Sequence, residues 1–382
     1  MPSLLPDTDP NGLLEYSVVF SDRSLNHMSQ SFRDVMINIS NTLKKVYKAE
    51  SVVLVPGGGT FGMEAVARQF ATNKKCLVLR NGWFSYRWSQ ILEIGEITSS
   101  ISVMKAKKLS SSKENSDHHS PMEPASIDEV LKQIDMQKPN VVFAPHVETS
   151  AGMILPDEYI ASVAQAVHKA GGIFVLDCIA SGALWVDMEK LGIDVVISAP
   201  QKGWSASPCS ALVMLGTAAR NLIDKTKSSS FSCDLNKWLQ IMEAYENGAH
   251  AYHSTMPTDA LLKFNSAMKE TEAYGFEKVR VEQQDLGNQV RKMLESKGYK
   301  SVAAEGFKAP SVIVCYTDDK DVQNGSRFMK EGIQVAAGIP LMCDEDDNFR
   351  TFRIGLFGLD KLHNIERTVH HLKSAIDRIL SA

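Results

Sequence analysis

Two short apolar runs, residues 173–176 and 195–197, each break off at polar chemistry: the first at Asp177, the second just before the small-residue turn Ser198-Ala199-Pro200-Gln201-Lys202-Gly203. Short runs rich in β-branched and aromatic residues, bounded by glycine or a turn, read as strands. Apolar along their whole length, they suit a parallel sheet covered by helices on both faces. The same rhythm recurs earlier, with a strand at 51–55, a helical pattern at 63–70, a strand at 76–79 and another at 140–144. The chain is therefore expected to be α/β, with a mostly parallel central sheet in a large domain. Residues at the carboxyl ends of such strands face the crevice where these sheets bind ligands.

Asp177 and Lys202 both occupy that position. Taken singly, an aspartate there caps a turn and a lysine is solvated. Taken together they meet the needs of pyridoxal-phosphate chemistry: the amine forms a Schiff base with the cofactor aldehyde, and the carboxylate keeps the pyridine nitrogen protonated, so that the ring accepts electrons from a substrate carbanion. Gly57-Gly58-Gly59-Thr60 lies between a strand and a helix expected to begin near Phe61, where exposed NH groups and the helix dipole favour a phosphate. Its spacing matches neither GxGxxG nor GxxxxGK[ST]. Trp83 and Phe84 offer an aromatic face for a cofactor ring. Arg353 alternates with apolar residues in FRIGLFG, so it points either to solvent or into the cleft, where its planar fork would grip an α-carboxylate. Arg350 is the fallback.

With 382 residues, 44% hydrophobic and 23% charged, the chain has ordinary globular composition and length for two domains. We expect an N-terminal segment at 1–22 near the substrate mouth, a large domain at 23–262 and a small C-terminal α/β domain at 263–382. The latter starts with a long helical stretch at 263–297 and ends in a βαβ-like tail containing residues 310–316 and 351–356. A formal charge of -4 gives no electrostatic case for nucleic acid or an anionic membrane. The opening MPSLLPDTDPNG lacks a basic leader and an apolar core, and no long apolar run follows, so a cytoplasmic location is expected. Six scattered cysteines without a CxxC pair point to neither a metal site nor a disulfide scaffold. The serine-rich stretch 106–126 reads as an exposed loop. Its His118-His119 pair has no further ligands at useful spacing, so no metal is expected.

Seven ordered motifs resemble the class V aminotransferases of the pyridoxal-phosphate type I fold, above all the alanine-glyoxylate or serine-pyruvate group. They are PGGGTFGMEAVA at 56–67, RNGWFSYR at 80–87, HVETSAG at 146–152, VLDCIASGA at 175–183, SAPQKGW at 198–204, YHSTMP at 252–257 and FRIGLFG at 352–358. The resemblance implies Lys202 and Asp177 as catalytic residues. It implies that Gly58, Gly59 and Thr60 line the phosphate, that Thr149 bonds the ring oxygen, and that Gln201 lies beside the cofactor. The related enzymes carry their stacking tryptophan where this chain has Phe84; its own tryptophan, Trp83, falls one residue earlier. Tyr252 and Thr255 would reach the phosphate of a neighbouring subunit, giving a homodimer with composite sites, although Ser254 replaces a histidine frequent in the family. Arg353 would bind the substrate carboxylate, while His146 and Glu148 are assigned structural hydrogen bonds.

The implied reaction is ping-pong transfer of an amino group from a small amino acid, alanine or serine in type, to glyoxylate or pyruvate. The opening GPGP common in the alanine-glyoxylate group is missing, which leaves the donor open. Alternatives on the same scaffold are a 2-aminoethylphosphonate transaminase, or a cysteine desulfurase or lyase with Cys343 as a mobile thiol. A pyridoxal-phosphate-binding protein without turnover is the remaining alternative.

Overall fold

The computed structural model describes residues 7–109 and 119–381; His118 and the rest of 110–118 in the serine-rich stretch lie outside them. The first eleven strands are β1 (Ser51–Pro56), β2 (Cys76–Arg80), β3 (Ile101–Lys105), β4 (Lys107–Lys108), β5 (Met122–Glu123), β6 (Val141–Pro145), β7 (Val147–Glu148), β8 (Met153–Ile154), β9 (Ile173–Asp177), β10 (Val195–Ser198) and β11 (Ser210–Leu215). Seven of them form one sheet in the order β1-β11-β10-β9-β6-β2-β3. The run from β10 to β3 is parallel, whereas β11 is antiparallel to both β1 and β10.

Every residue of β2, β6, β9, β10 and β11 is buried, which is why these segments read as unbroken apolar runs. Strand β11 turns the direction of the chain twice, so β1 points the same way as β10. Pro56, Arg80, Pro145, Asp177 and Ser198 consequently end at one edge, with Asp177 opposite Ile197 on one side and Pro145 on the other. Every site motif in the first 204 residues leaves the sheet from this edge.

Three further strands, β12 (Val312–Tyr316), β13 (Ala336–Ala337) and β14 (Thr351–Gly355), form a second sheet in the order β12-β14-β13. Both of its pairings are antiparallel, so the tail is not the βαβ unit expected. The helical stretch also divides. Helix Thr258–Tyr274 stops at Gly275, whose φ of +105° favours glycine, and helix Phe276–Ser296 begins there. Leu261, Phe264 and Met268 belong to the large core, while Val279, Leu286 and Val290 pack with Phe328, Phe352 and Ile354 in the second. The helix before Gly275 thus packs mainly in the first core and the one after it mainly in the second, although Tyr274 touches the second and Phe276 the first, and residue 262 lies inside the earlier helix.

The expected loop at 106–126 is partly ordered. β4 and β5 pair as a hairpin, Ala106, Met122 and Ala125 are buried, and Met122 exchanges backbone hydrogen bonds with Val302 and Ala304. Ala106 and Met122 are buried against Val302, Ala303 and Val312 of the C-terminal part, whereas Leu109 stays exposed. Segment 7–29 packs by Phe20 and His27 near Tyr252, and Leu25 N donates to Asp259 Oδ1 at 2.9 Å.

Lys202 is held by a backbone crossing too close for any other residue. A Cβ on Gly203 would stand 1.9 Å from the carbonyl oxygen of Gly182, whereas a Cβ on Gly58 would meet nothing within 4 Å. Gly203→Ala should therefore lower the unfolding free energy by about 1–3 kcal/mol, and Gly58→Ala should stay within about 0.5 kcal/mol of the parent. Denaturant titration of the two variants checks this; equal effects would contradict the crossing.

Candidate active site

Asp177 ends β9 with 7% of its surface exposed, and its Oδ1 accepts a hydrogen bond from Ile179 N at 2.9 Å. Burial pushes its carboxyl up to about 7; nearby Glu148 pushes the same way, while the Ile179 NH, Arg87 and Lys202 oppose. Lys202 shows the complementary effect. Burial lowers its ammonium pKa, Arg353 and Arg87 lower it further, and Asp177 alone opposes. Its Nζ lies 4.9 Å from the centroid of Phe357. The acid and the lysine thus act on each other, and both feel the Arg87 guanidinium.

The glycine turn stands beside them. Helix Gly59–Phe70 begins two residues earlier than expected, with Gly58 as its N-cap, so Gly59 and Thr60 form its first turn and leave NH groups without helical partners. A Cβ on Gly59 would fall 2.4 Å from Ile179 Cδ1. Glycine is needed there because Ile179, whose NH binds Asp177, passes over the turn. The open space beside Gly58 and the free NH groups suit an anion.

Trp83 and Phe84 open helix Trp83–Ile94, and a buried carboxylate holds that end. Glu148, fully buried, accepts from Phe84 N (3.2 Å), Ser150 N (3.1 Å) and Ser150 Oγ (2.7 Å) at Oε1, and from Ser85 N (2.9 Å) and Ser85 Oγ (2.7 Å) at Oε2. A negative charge at a helix N-terminus is favourable on dipole grounds as well. Trp83 N donates to Ser150 Oγ at 2.9 Å, completing the tie to the β7–β8 hairpin. Of the two aromatic residues, Phe84 faces the cations, with Arg87 Cζ at 4.7 Å and Arg353 Cζ at 5.7 Å from its ring centroid, whereas Trp83 packs edge-on against Tyr86. Thr149, next in sequence to Glu148, is buried.

Arg353 reaches the cleft from β14. Its Nε donates to Ala337 O at 2.8 Å, burial lowers its pKa, and Glu148 opposes that shift. The side chain therefore points inward, and Arg350 stays before the strand, its carbonyl accepting from Thr317 N. Gln201 Oε1 is buried without a hydrogen-bond partner among the described residues.

Tyr252 and Thr255 are not gathered into this pocket. Both are exposed, Tyr252 at 54%, and Tyr252 Oη lies 3.2 Å from Thr255 Oγ1. Cys343 is no mobile thiol: it is 5% exposed, its Sγ donates to Arg80 O at 3.4 Å, and burial pushes the thiol up to about 12. All six cysteines are buried and unpaired with one another. His119 lies 3.2 Å from Asp318 and stacks on Tyr316. Among the described residues no helix is long and apolar enough to cross a membrane.

One residue of the cleft escaped the motif reading. Arg87 follows Phe84 by one helical turn, lies over its ring, donates from Nη1 to Thr60 Oγ1 at 3.2 Å and acts on both Asp177 and Lys202. The available signal was the i, i+3 spacing from the aromatic residue.

Known proteins share this fold. A crystal structure of an alanine–glyoxylate aminotransferase from Nostoc sp. superposes with a TM-score of 0.78 at 19% identity, covering 93% of this chain and 89% of that one. It shows the fold of pyridoxal-phosphate-dependent aminotransferases of type I. Alanine–glyoxylate aminotransferase 1 of Saccharomyces cerevisiae is 25% identical over 93% of this chain and 91% of its own length. A 2-aminoethylphosphonate–pyruvate transaminase of Bacillus cereus is 27% identical over 93% and 91%. The model of the family "Aminotransferase class-V" matches residues 13–356, and the chain belongs to that family. It is accordingly a transaminase that uses pyridoxal phosphate and acts on amino and 2-oxo acids.

His146 carries a testable electrostatic signature. It is buried, its backbone NH bonds Asp177 O at 2.8 Å, and its Nδ1 lies 2.7 Å from Ser181 Oγ. Burial, aided by Arg280, lowers its pKa from 6.5 to about 4. The unfolded chain therefore takes up this proton first, so the stability that His146 contributes falls as the pH drops from 6.5 and levels off below about 4. The difference in unfolding free energy between the parent and His146→Asn should shrink by about 3 kcal/mol on acidification across that window. A difference independent of pH would show that the imidazole is not held neutral.

Proposed function

We propose that the enzyme moves an amino group from a small amino acid, alanine or serine in type, to glyoxylate or pyruvate, with Lys202 as the residue that attaches the cofactor. The observation that carries this reading is the convergence of Asp177, Lys202, Phe84 and inward-pointing Arg353, supplied by both lobes, on one pocket. Gly58, Gly59 and Thr60 would receive the phosphate on backbone NH groups and a hydroxyl. Phe84 covers the ring face and keeps water from it, while Thr149 and the unpartnered Gln201 amide address its polar edge.

When bound, pyridoxal phosphate withdraws the electron pair left at the substrate Cα. Asp177, whose carboxyl burial pushes up to about 7, would hold the pyridine nitrogen protonated and serve as its counter-ion. Arg353 holds the α-carboxylate and fixes which bond of Cα faces the lysine. Lys202, whose amine is driven toward its neutral form by burial and two guanidinium groups, takes the Cα proton as general base and returns it as general acid.

Tyr252 and Thr255 are exposed in the single chain, which supports the reading that they serve the site of a second copy in a homodimer. The buried, mutually unpaired cysteines suit a reducing, cytoplasmic setting. A second donor, 2-aminoethylphosphonate, is favoured by the relative from Bacillus cereus. A cysteine desulfurase is disfavoured because Cys343 is anchored and its thiol pushed to about 12.

Lys202→Ala should abolish the visible absorption band of the holoenzyme and reduce transamination at least about 10²–10⁴-fold. A panel pairing alanine, serine, cysteine and 2-aminoethylphosphonate with glyoxylate and pyruvate should give its highest kcat/KM with alanine or serine. Faster turnover of the phosphonate, or sulfide release from cysteine, would replace the proposed donor. Co-assembly of Lys202→Ala chains with Tyr252→Ala chains should recover part of the parental activity, because one of the two composite sites is then intact. No recovery despite mixed dimers would show that each site is built from one chain.

A further inference from the structure

The phosphate pole described so far contains NH groups, a hydroxyl and a helix dipole, but no cation. A phosphate monoester brings about 1.5–2 negative charges at pH 7, and the dipole at a helix N-terminus amounts to roughly half a charge. We propose that Arg87 supplies the missing charge and is the cationic ligand of the cofactor phosphate; this rests on the pyridoxal-phosphate reading above.

Position favours it. The guanidinium donates to Thr60 Oγ1 at 3.2 Å, so it already touches the cradle, beside the open space at Gly58. It also lies 4.7 Å from the Phe84 centroid. Both residues belong to one helical turn whose N-terminus is clamped by Glu148, so ring and cation are placed as a unit relative to the cradle. Lys202 and Asp177 both feel Arg87, which keeps it within range of the ring's two other anchors.

Charge balance in the cleft favours it too. Two cations, Arg353 and Arg87, both act on Lys202 there, and Arg87 has no ion pair among the described residues. Glu148 is not available as its counter-ion, because both carboxylate oxygens are saturated by the helix and the hairpin. Lys202 serves attachment and proton transfer, and Arg353 takes the substrate carboxylate. The remaining cation matches the remaining anion, and a guanidinium, always charged and forked, suits phosphate oxygens.

Cofactor binding separates this role from others. The full-length parent, Arg87→Lys and Arg87→Ala chains, freed of cofactor, are titrated with pyridoxal phosphate and with pyridoxal, which has the ring and aldehyde but no phosphate. Arg87→Ala should bind pyridoxal phosphate roughly 10- to 100-fold more weakly while its affinity for pyridoxal stays at the parental value. Arg87→Lys should recover part of the loss, and inorganic phosphate should compete with pyridoxal phosphate less well in Arg87→Ala than in the parent. Equal weakening for both compounds would overturn the proposal in favour of a role in setting the Phe84 ring. Unchanged cofactor affinity with a raised KM for 2-aminoethylphosphonate would overturn it in favour of the substrate's anion. A parent that binds neither compound would instead remove the pyridoxal-phosphate reading itself.

Discussion

A carboxyl group buried at the end of a strand is the constraint around which this cleft is organised. Asp177 cannot ionise cheaply where the fold puts it, because desolvation outweighs the Ile179 NH and the neighbouring cations. Its folded pKa is raised from 3.8 to about 7, so the stability it contributes is complete below 3.8 and is lost as pH rises through about 7. The protein without cofactor is thus penalised at neutral pH. In the proposed site, a protonated pyridine nitrogen beside the carboxyl would remove that penalty.

Other features of the pocket follow from keeping that environment dry and oriented. Gly59 leaves room for the side chain of Ile179, whose NH binds Asp177, and Gly203 lacks a side chain so that the lysine turn can cross the Gly182 carbonyl. Glu148 does for the aromatic helix what Ile179 does for the acid. Five donors converge on its two oxygens, so Phe84 and Arg87 sit on a helix end that has little freedom to shift. Preorganisation of this kind lets the ring surroundings act without rearranging during reaction.

Much of this was legible in the order of residues. Strands β2, β6, β9, β10 and β11 are apolar at almost every position because both faces are covered, and that pattern identified a parallel sheet. Asp177 and Lys202 were legible because polar chemistry immediately after such a strand must emerge at the carboxyl edge. Less legible were features created by partners distant in sequence. The 106–126 segment is poor in apolar residues, yet its hairpin is completed by Val302 and Ala304. The helical pattern runs on past residue 262, and only the packing of Phe264 into one core and Val279 into the other locates the break at Gly275. Cys343 stands in a polar sequence that reads as exposed, but the loop folds back onto Arg80 and buries it.

By itself the sequence determined the alternation of strands and helices, the strand-end acid and lysine, and the glycine turn, because each depends on local periodicity or on the conformational range of glycine. Tertiary structure alone decided which way Arg353 points, which of two adjacent aromatic residues faces the cleft, and that Arg87 and Glu148 belong to the same site. Those outcomes depend on how two lobes and three strand ends meet, and an alternating strand pattern is equally satisfied by a side chain in solvent or in a pocket until the opposing surface is in place.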